Sequence, residues 1–80
     1  MSETSMCVLR FIVDYLDENF YPPTLREIAV GVDRVHSVVV HHIERLEAAN
    51  LIGRGPKGAS RAIWVTEDGR EAVKRQEVRT

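Results

Sequence analysis

One segment of the chain carries side chains whose chemistry suits the recognition of DNA bases. The sequence DRVHSVVVHHIERLEAAN, residues 33–50, has the periodicity of a helix, which we predict over about 35–49. An arginine can donate two hydrogen bonds to guanine, serine and histidine can donate or accept one, and a valine methyl can pack on the methyl group of thymine. Such groups on one side of the segment predict a surface that reads the major groove. This recognition face comprises Ser37, Val38, His41 and Arg45, with Arg34 and His36 at its beginning.

The other side of the same segment is apolar. Val35, Val39, Ile43 and Leu46 recur at steps of four, four and three residues, which aligns them on one side of a helix and predicts a core-facing stripe. The three consecutive valines at 38–40 tolerate a helix without favouring it. The helical conformation of this segment must therefore depend on the elements that pack against it.

Length and composition limit the chain to one small domain. Its 80 residues are 44% apolar and 29% charged, as in ordinary globular proteins. We expect a single domain over 1–80, with a core over about 3–66 and a C-terminal helix over about 67–77. No apolar run approaches the roughly 18 residues that a membrane span needs, and the chain does not begin with a basic segment followed by an apolar one. The sequence therefore predicts a cytoplasmic protein.

The charge is distributed unevenly along the chain. The formal net charge is −1, but residues 1–33 hold six acids against two arginines, whereas residues 34–66 hold five basic residues against two acids. Residues 67–80 are balanced. A basic middle segment is typical of a domain that binds the phosphate backbone through one side.

Other kinds of chemistry are disfavoured by residue type and spacing. The single cysteine, Cys7, cannot form an internal disulfide, and we expect it to be a small, partly buried residue. His36, His41 and His42 are five and one residues apart, which places them on different sides of a helix, so we predict no metal site. The chain has no glycine-rich phosphate loop, hydrolase motif or paired carboxylates. We therefore expect no enzyme, no cofactor and no small-molecule ligand.

Two helices are predicted before the recognition segment. The first spans about 3–19 and ends before the diproline at 22–23, which cannot continue a helix. The sequence TLRE at 24–27 is a capping box, so a second helix should begin at Leu25. Gly31 is predicted to break this helix from the next one. Two helices joined around a glycine, the second with a recognition face, indicate a helix-turn-helix.

A β-hairpin and a last helix are predicted after the recognition segment. Residues 51–54 and 61–66 favour strands, and 55–60 is a turn by composition. A hairpin in this position is a wing, and its polar side chains suit the phosphate backbone or an adjacent minor groove. Over 54–61 these side chains are Arg54, Lys57, Ser60 and Arg61. The expected fold is mostly α with a small β-hairpin: a winged helix-turn-helix with a three-helix core, a two-stranded wing and a C-terminal helix.

Several motifs resemble those of a known family. The segments PPTLREIA, VVHHIERLEAANLI and RAIWVT, within about 6–66, resemble the winged helix-turn-helix DNA-binding domain of LexA-type repressors. The resemblance implies a sequence-specific regulator of transcription that binds double-stranded DNA, with repression as the expected outcome. It places the third helix in the major groove and the wing on the backbone. The C-terminal VTEDGREAVKR is similar to the strand-to-helix junction of MarR-type and other winged regulators.

The chain also departs from the family pattern. Between Ala29 and Ser37 it is one residue shorter, and Arg34-Val35-His36 replaces small polar residues, so the base preference of the family is not carried over. LexA repressors also have a self-cleaving protease domain, through which they mainly dimerise. In 80 residues we expect neither that domain nor control by autocleavage. A homodimer would then use the last helix, with Ala72 and Val73, or the aromatic residues Phe11, Tyr15, Phe20 and Tyr21.

Two alternatives remain open. Winged helices can also bind proteins, in which case Val38, Val40 and Trp64 would form an apolar contact patch. The chain could also be a small accessory DNA-binding protein of a phage or mobile element. The dependence of binding on salt separates DNA from protein as the partner, because only binding to phosphates weakens steeply as salt rises.

Overall fold

The computed structural model describes residues 2–56, 59 and 61–78, which form four helices and one antiparallel hairpin. This architecture confirms the predicted winged helix-turn-helix. The elements are α1 (Glu3–Asn19), α2 (Leu25–Val32), α3 (His36–Ala48), β1 (Ile52–Arg54), β2 (Ile63–Val65) and α4 (Glu67–Val78). The helices α1, α2 and α3 pack on one another, the hairpin follows α3, and α4 returns to pack on α1.

Local capping explains where the first two helices begin. The hydroxyl of Ser2 accepts a hydrogen bond from the backbone N–H of Ser5 at 3.1 Å and caps α1. The predicted capping box of α2 is confirmed: Glu27 N–H donates to Thr24 Oγ1 at 3.1 Å, and Thr24 N–H donates to Glu27 Oε1 at 2.8 Å. Phe20 ends α1 in the left-handed conformation, with φ 66°.

Gly31 does not separate the two helices of the helix-turn-helix, so this prediction is wrong. Helix α2 continues through Gly31 to Val32, and Asp33 ends it in the left-handed conformation with φ 56°. A Cβ at position 31 would overlap the ring of Phe11 on α1. The glycine therefore serves the close approach of α2 to α1, and an aspartate, whose short polar side chain tolerates this conformation, makes the turn.

The apolar stripe of α3 is one residue shorter than predicted. Val39, Ile43 and Leu46 are fully buried, but Val35 is 67% exposed, because it precedes the first turn of α3 and points away from the core. Asn50 follows the helix in the left-handed conformation, with φ 61°, which asparagine tolerates. The core is built from all four helices and both strands, and its buried residues are Val8, Leu9, Ile12, Val13, Ile28, Val39, Ile43, Leu46, Ile52, Ile63 and Val73.

The hairpin is short and its base is fixed by α4. Strands β1 and β2 pair with Gly53 opposite Trp64, and the indole covers the space that a side chain at position 53 would need. Thr66 caps α4: its hydroxyl accepts from Gly69 N–H at 3.0 Å and donates to Asn50 O at 2.8 Å. Val73 is buried against the protein's own core, so the apolar side of α4 is not open to a second copy. No helix in the described ranges is long and apolar enough to cross a membrane.

Candidate nucleic-acid interface

Three residues of the recognition face form one exposed strip along α3. Ser37, His41 and Arg45 are exposed and follow one another at steps of four residues, so they occupy successive turns on one side of the helix. Arg34 is exposed just before the helix begins, and its guanidinium donates a hydrogen bond to Asp33 O at 3.1 Å. The strip and its N-terminal neighbour thus present two guanidinium groups, an imidazole and a hydroxyl to solvent.

The other two predicted residues of α3 lie beside this strip. Val38 is half-buried, so only part of its side chain is accessible to a ligand. His36 is exposed, but it precedes Ser37 by one residue and is therefore rotated from it by about 100° around the helix axis. We infer that Val38 borders the strip on one edge and that His36 faces towards a different side.

His42, which sequence reasoning did not single out, fixes α3 against α1. Its Nδ1 lies 2.7 Å from the hydroxyl of Ser5, which is fully buried. The hydroxyl of Ser2 donates to Ser5 Oγ at 3.1 Å, and the direction of the hydrogen bond between Ser5 and His42 depends on the tautomer of the imidazole. Burial lowers the pKa of His42 below its ordinary value, and the charges of His41 and Arg45 lower it further. The spacing of His42, three residues after Val39 and four before Leu46, was the available signal for a place at the core edge.

The N-terminus of α3 has no side-chain cap within the described part of the chain. Val35 occupies the capping position and has no side-chain acceptor for the backbone N–H groups of the first turn. Arg34 is exposed two residues before this first turn, which carries the positive end of the helix dipole. This end of the helix is therefore electropositive and suits an anionic group.

The wing is only partly described, and Lys57 and Ser60, both predicted DNA contacts, lie outside the described residues. Arg54 at the end of β1 is half-buried and borders a groove of about 640 Å³ between α2, α3 and the hairpin. The lining of this groove includes both Arg26 and Arg54 and the acids Glu44 and Glu47. The mixed charge makes the groove a poor site for an anion.

Arg61 was predicted to contact phosphate, but its guanidinium is bound to α2. Its two terminal nitrogens lie 2.9 and 3.1 Å from the two carboxylate oxygens of Glu27, and Nη1 also donates to Pro22 O at 2.9 Å. The guanidinium carbon lies 4.6 Å from the ring centroid of Tyr21. Arg61, the N–H of Thr24 and the Tyr15 hydroxyl lower the pKa of Glu27 to about 2. The guanidinium is therefore neutralised within the domain.

The side chains proposed for a protein-binding patch differ in exposure. Val38 and Val40 are half-buried, while Trp64 is 53% exposed and packs over Gly53 on the hairpin.

Among the described residues no group of three or more histidines, cysteines and acids could hold a metal ion. Cys7 is exposed, contrary to the expectation of partial burial.

The arrangement of α2, α3 and the hairpin defines a winged helix-turn-helix domain, and two solved structures share its fold. The chain superimposes on AF1382 from Archaeoglobus fulgidus with a TM-score of 0.83 and 20% identity, covering 98% of this chain and 85% of that one. It superimposes on MepR of S. aureus bound to ethidium bromide with a TM-score of 0.76 and 19% identity, covering 92% of this chain and 53% of that one.

Sequence comparison identifies the particular family. The family model of the LexA DNA binding domain matches residues 1–62, and the chain belongs to this family. It is 47% identical over 78 residues to the LexA repressor of Lactiplantibacillus plantarum, covering 91% of this chain and 37% of the relative. It is 43% identical over 75 residues to the LexA repressor of Oenococcus oeni, covering 91% and 35%. The chain thus spans about a third of the length of these curated relatives.

Proposed function

We propose that the chain binds double-stranded DNA with sequence preference, as the operator-binding module of a transcriptional repressor. The observation that carries the proposal is the exposed strip of Ser37, His41 and Arg45 on a helix whose opposite side is fully buried, in a chain of the LexA DNA-binding family. A helix of 13 residues is about 20 Å long and fits the major groove, which is about 12 Å wide. In this proposal α3 lies in the major groove with the strip towards the base edges.

Each group of the recognition face has its own role in this complex. Arg45 donates two hydrogen bonds to a guanine and is the main base contact. Ser37 and His41 bond base edges on the neighbouring turns, and the accessible part of Val38 packs on a thymine methyl. Arg34 and His36 bind phosphates near the uncapped N-terminus of α3, whose N–H groups attract the same anions.

The wing supplies contacts that position the domain on the duplex. Arg54, Lys57 and Ser60 carry the charges and the hydroxyl that suit phosphate oxygens or an adjacent minor groove. Such contacts raise affinity for all sequences alike, because they touch the backbone and not the bases. In this proposal the protein acts in the cytoplasm and only binds DNA, so it needs no catalytic residue, cofactor, metal or small-molecule ligand.

A homodimer is the proposed assembly, because two-fold pairing places two recognition helices about one DNA turn apart. Phe11 packs against Gly31, and Tyr15 donates to Glu27, so both are engaged within the domain. Phe20 is 91% exposed, and Tyr21 is also exposed beside it. Because the guanidinium of Arg61 stacks on the ring of Tyr21, the proposed pairing surface is reduced to Phe20 and the exposed part of Tyr21. Sedimentation equilibrium of the wild type and Phe20→Glu checks this, and a wild-type protein that stays monomeric at micromolar concentration would contradict it.

Selection of binding sites from random duplex DNA, followed by an Arg45→Ala comparison, tests the proposed function. We expect Arg45→Ala to cost about 1–3 kcal/mol on the selected site and little on random duplex, because a base contact is lost. Arg75→Ala removes the same charge from an exposed position of α4 and should change neither affinity strongly. An equal loss of affinity on both duplexes would assign Arg45 to the backbone. Failure of selection to enrich any sequence would overturn the proposed function.

A further inference from the structure

The wing is joined to α2 by a cluster of side chains distant in sequence. Arg61, two residues before the start of β2, makes two parallel hydrogen bonds to Glu27 in the first turn of α2, 34 residues earlier in the chain. The hydroxyl of Tyr15 on α1 donates to Glu27 Oε2 at 3.0 Å. Glu27 also accepts the N–H of Thr24 through Oε1, so its carboxylate binds donors from α1, α2 and the wing at once. We refer to Arg61, Glu27, Tyr15 and Pro22 as the Arg61 cluster.

The backbone at Arg61 is shaped to make this contact. Its φ is 54°, in the left-handed region that residues other than glycine rarely adopt. Such a residue is held there only when the surrounding structure compensates for the strain. Here the compensation consists of the bidentate pair with Glu27, the hydrogen bond to Pro22 O at 2.9 Å and the stacking on Tyr21. The conformation turns the guanidinium towards α2.

The two strands of the hairpin also pack on α3 and α4. Strand β1 follows α3 and packs on it, and β2 leads into α4 and packs on that helix. The Arg61 cluster adds a connection from the second limb of the hairpin to the N-terminus of α2. Because α2 and α3 pack together as the helix-turn-helix, a wing that is attached to α2 also has a set direction relative to α3, the helix that carries the recognition face.

We propose that Arg61 is a positioning residue, which acts through Glu27 to hold the wing in the orientation needed for simultaneous contact of α3 and the wing with DNA. This inference rests on the proposed function for its consequence in DNA binding. The guanidinium is paired with a carboxylate, so Arg61 contributes geometry and not a phosphate contact. Loss of the pair lets the wing change direction and weakens its backbone contacts.

The positioning role and simple electrostatics predict opposite changes in DNA affinity for the variant Glu27→Gln. Glu27→Gln removes one negative charge and replaces the Oε2 acceptor of Arg61 Nη2 by an amide group, which breaks the bidentate pair, so charge alone predicts tighter DNA binding. The glutamine oxygen can still accept the N–H of Thr24, which preserves the capping interaction. If Arg61 positions the wing, the same substitution weakens binding instead.

The binding experiment uses Glu27→Gln, Arg61→Ala and the double variant on the duplex selected by the wild type, across a range of salt concentrations. We expect each single variant to bind about 3- to 10-fold more weakly, and the double variant no more weakly than either, because both remove one interaction. The slope of log Kd against log salt should fall by the same amount in both single variants, because each weakens the same phosphate contacts of the wing. Arg61→Lys, which keeps the charge without the bidentate geometry, should recover only part of the affinity. Glu47→Gln, an exposed acid of α3 outside the cluster, should bind as tightly as the wild type or more tightly.

Two results would overturn the positioning role. Tighter binding by Glu27→Gln would mean that the carboxylate only opposes DNA. A salt slope that falls by about 0.9 in Arg61→Ala but stays that of the wild type in Glu27→Gln would mean that the guanidinium neutralises a phosphate in the complex.

Hydrogen exchange tests the cluster without DNA and so separates its failure from failure of the proposed function. The N–H of Gly55 donates to Ala62 O at 2.6 Å and closes the hairpin next to Arg61. In Arg61→Ala we expect the Gly55 amide to exchange at least about 3-fold faster, whereas the amide of Ile12 in the core should keep its rate. Unchanged exchange at Gly55 would overturn the connection between the cluster and the wing, whatever the DNA results are.

Discussion

Replacing Ser5 by alanine tests the hydrogen bond that fixes the recognition helix to α1. The buried hydroxyl of Ser5 lies 2.7 Å from Nδ1 of His42, and its loss removes a bond with a net value of about 0.5–1.5 kcal/mol. It also leaves a half-buried ring nitrogen without its partner, which adds part of a penalty of about 1–3 kcal/mol. The higher helix propensity of alanine offsets about 0.5 kcal/mol. We therefore expect the free energy of unfolding to fall by about 1–2 kcal/mol, and Tm by roughly 4–16 °C.

Urea unfolding of Ser5→Ala and Ser37→Ala measures this effect against a matched control. Ser37 is an exposed serine of α3, so its replacement gains helix propensity without removing a buried bond. We expect Ser37→Ala to stay within about 0.5 kcal/mol of the wild type. If the two variants unfold at the same urea concentration, the Ser5–His42 bond has no role in holding α3, and the reasoning is refuted.

The burial of His42 gives the wild-type protein a specific pH dependence. The pKa of His42 is lowered in the folded state from its ordinary value of 6.5, first by burial and then by neighbouring positive charge. As the pH falls below 6.5 the unfolded state therefore takes up a proton before the folded state does, and stability decreases. Above this pH the contribution is fully present. A hydrogen bond donated by Ser5 to Nδ1 forms only with the neutral ring, so with this direction the stability of Ser5→Ala should fall less over this range, and an identical fall in both proteins would contradict this direction.

Two further perturbations test other contacts. Gly31→Ala places a methyl group where the Phe11 ring lies, so we expect urea unfolding to show a loss of about 1–3 kcal/mol in spite of the better helix propensity of alanine; a gain in stability would mean that the ring moves aside without cost. The pKa of Glu27 is lowered from 4.5 to about 2, so its contribution to stability is present above pH 4.5 and is lost as the pH falls through about 2. Acid titrations of the wild type and Glu27→Gln should therefore differ over this range, and superimposable curves would count against the pair with Arg61.

Helix boundaries and the fold class were accessible from the sequence because the interactions that set them are local. The caps of Ser2, Thr24 and Thr66 each involve a backbone N–H three residues later, so the pattern that forms the bond is visible in a few consecutive letters. Periodicity likewise placed Val39 and Ile43 in the core, since residues four apart share one side of a helix.

Two other predictions were wrong because the same short sequence pattern can occur in two different structural settings. A glycine near the end of a helix can mark a turn or a close approach to another element, and only the position of Phe11 on α1 decides that Gly31 is the second kind. Val35 has the spacing of the core stripe, but the point at which the chain turns into α3 places it in solvent.

The sequence by itself determined the elements of this protein and the exposed residues of its recognition face, because helical periodicity separates a buried side from a solvent side. Only the tertiary structure decided which polar side chains are committed within the domain. His42 meets Ser5 across 37 residues of sequence, and Arg61 meets Glu27 across 34. Charge and residue type are the same for a bound and an unbound arginine, so the availability of Arg61 for DNA depends on a packing geometry that no short stretch of sequence encodes.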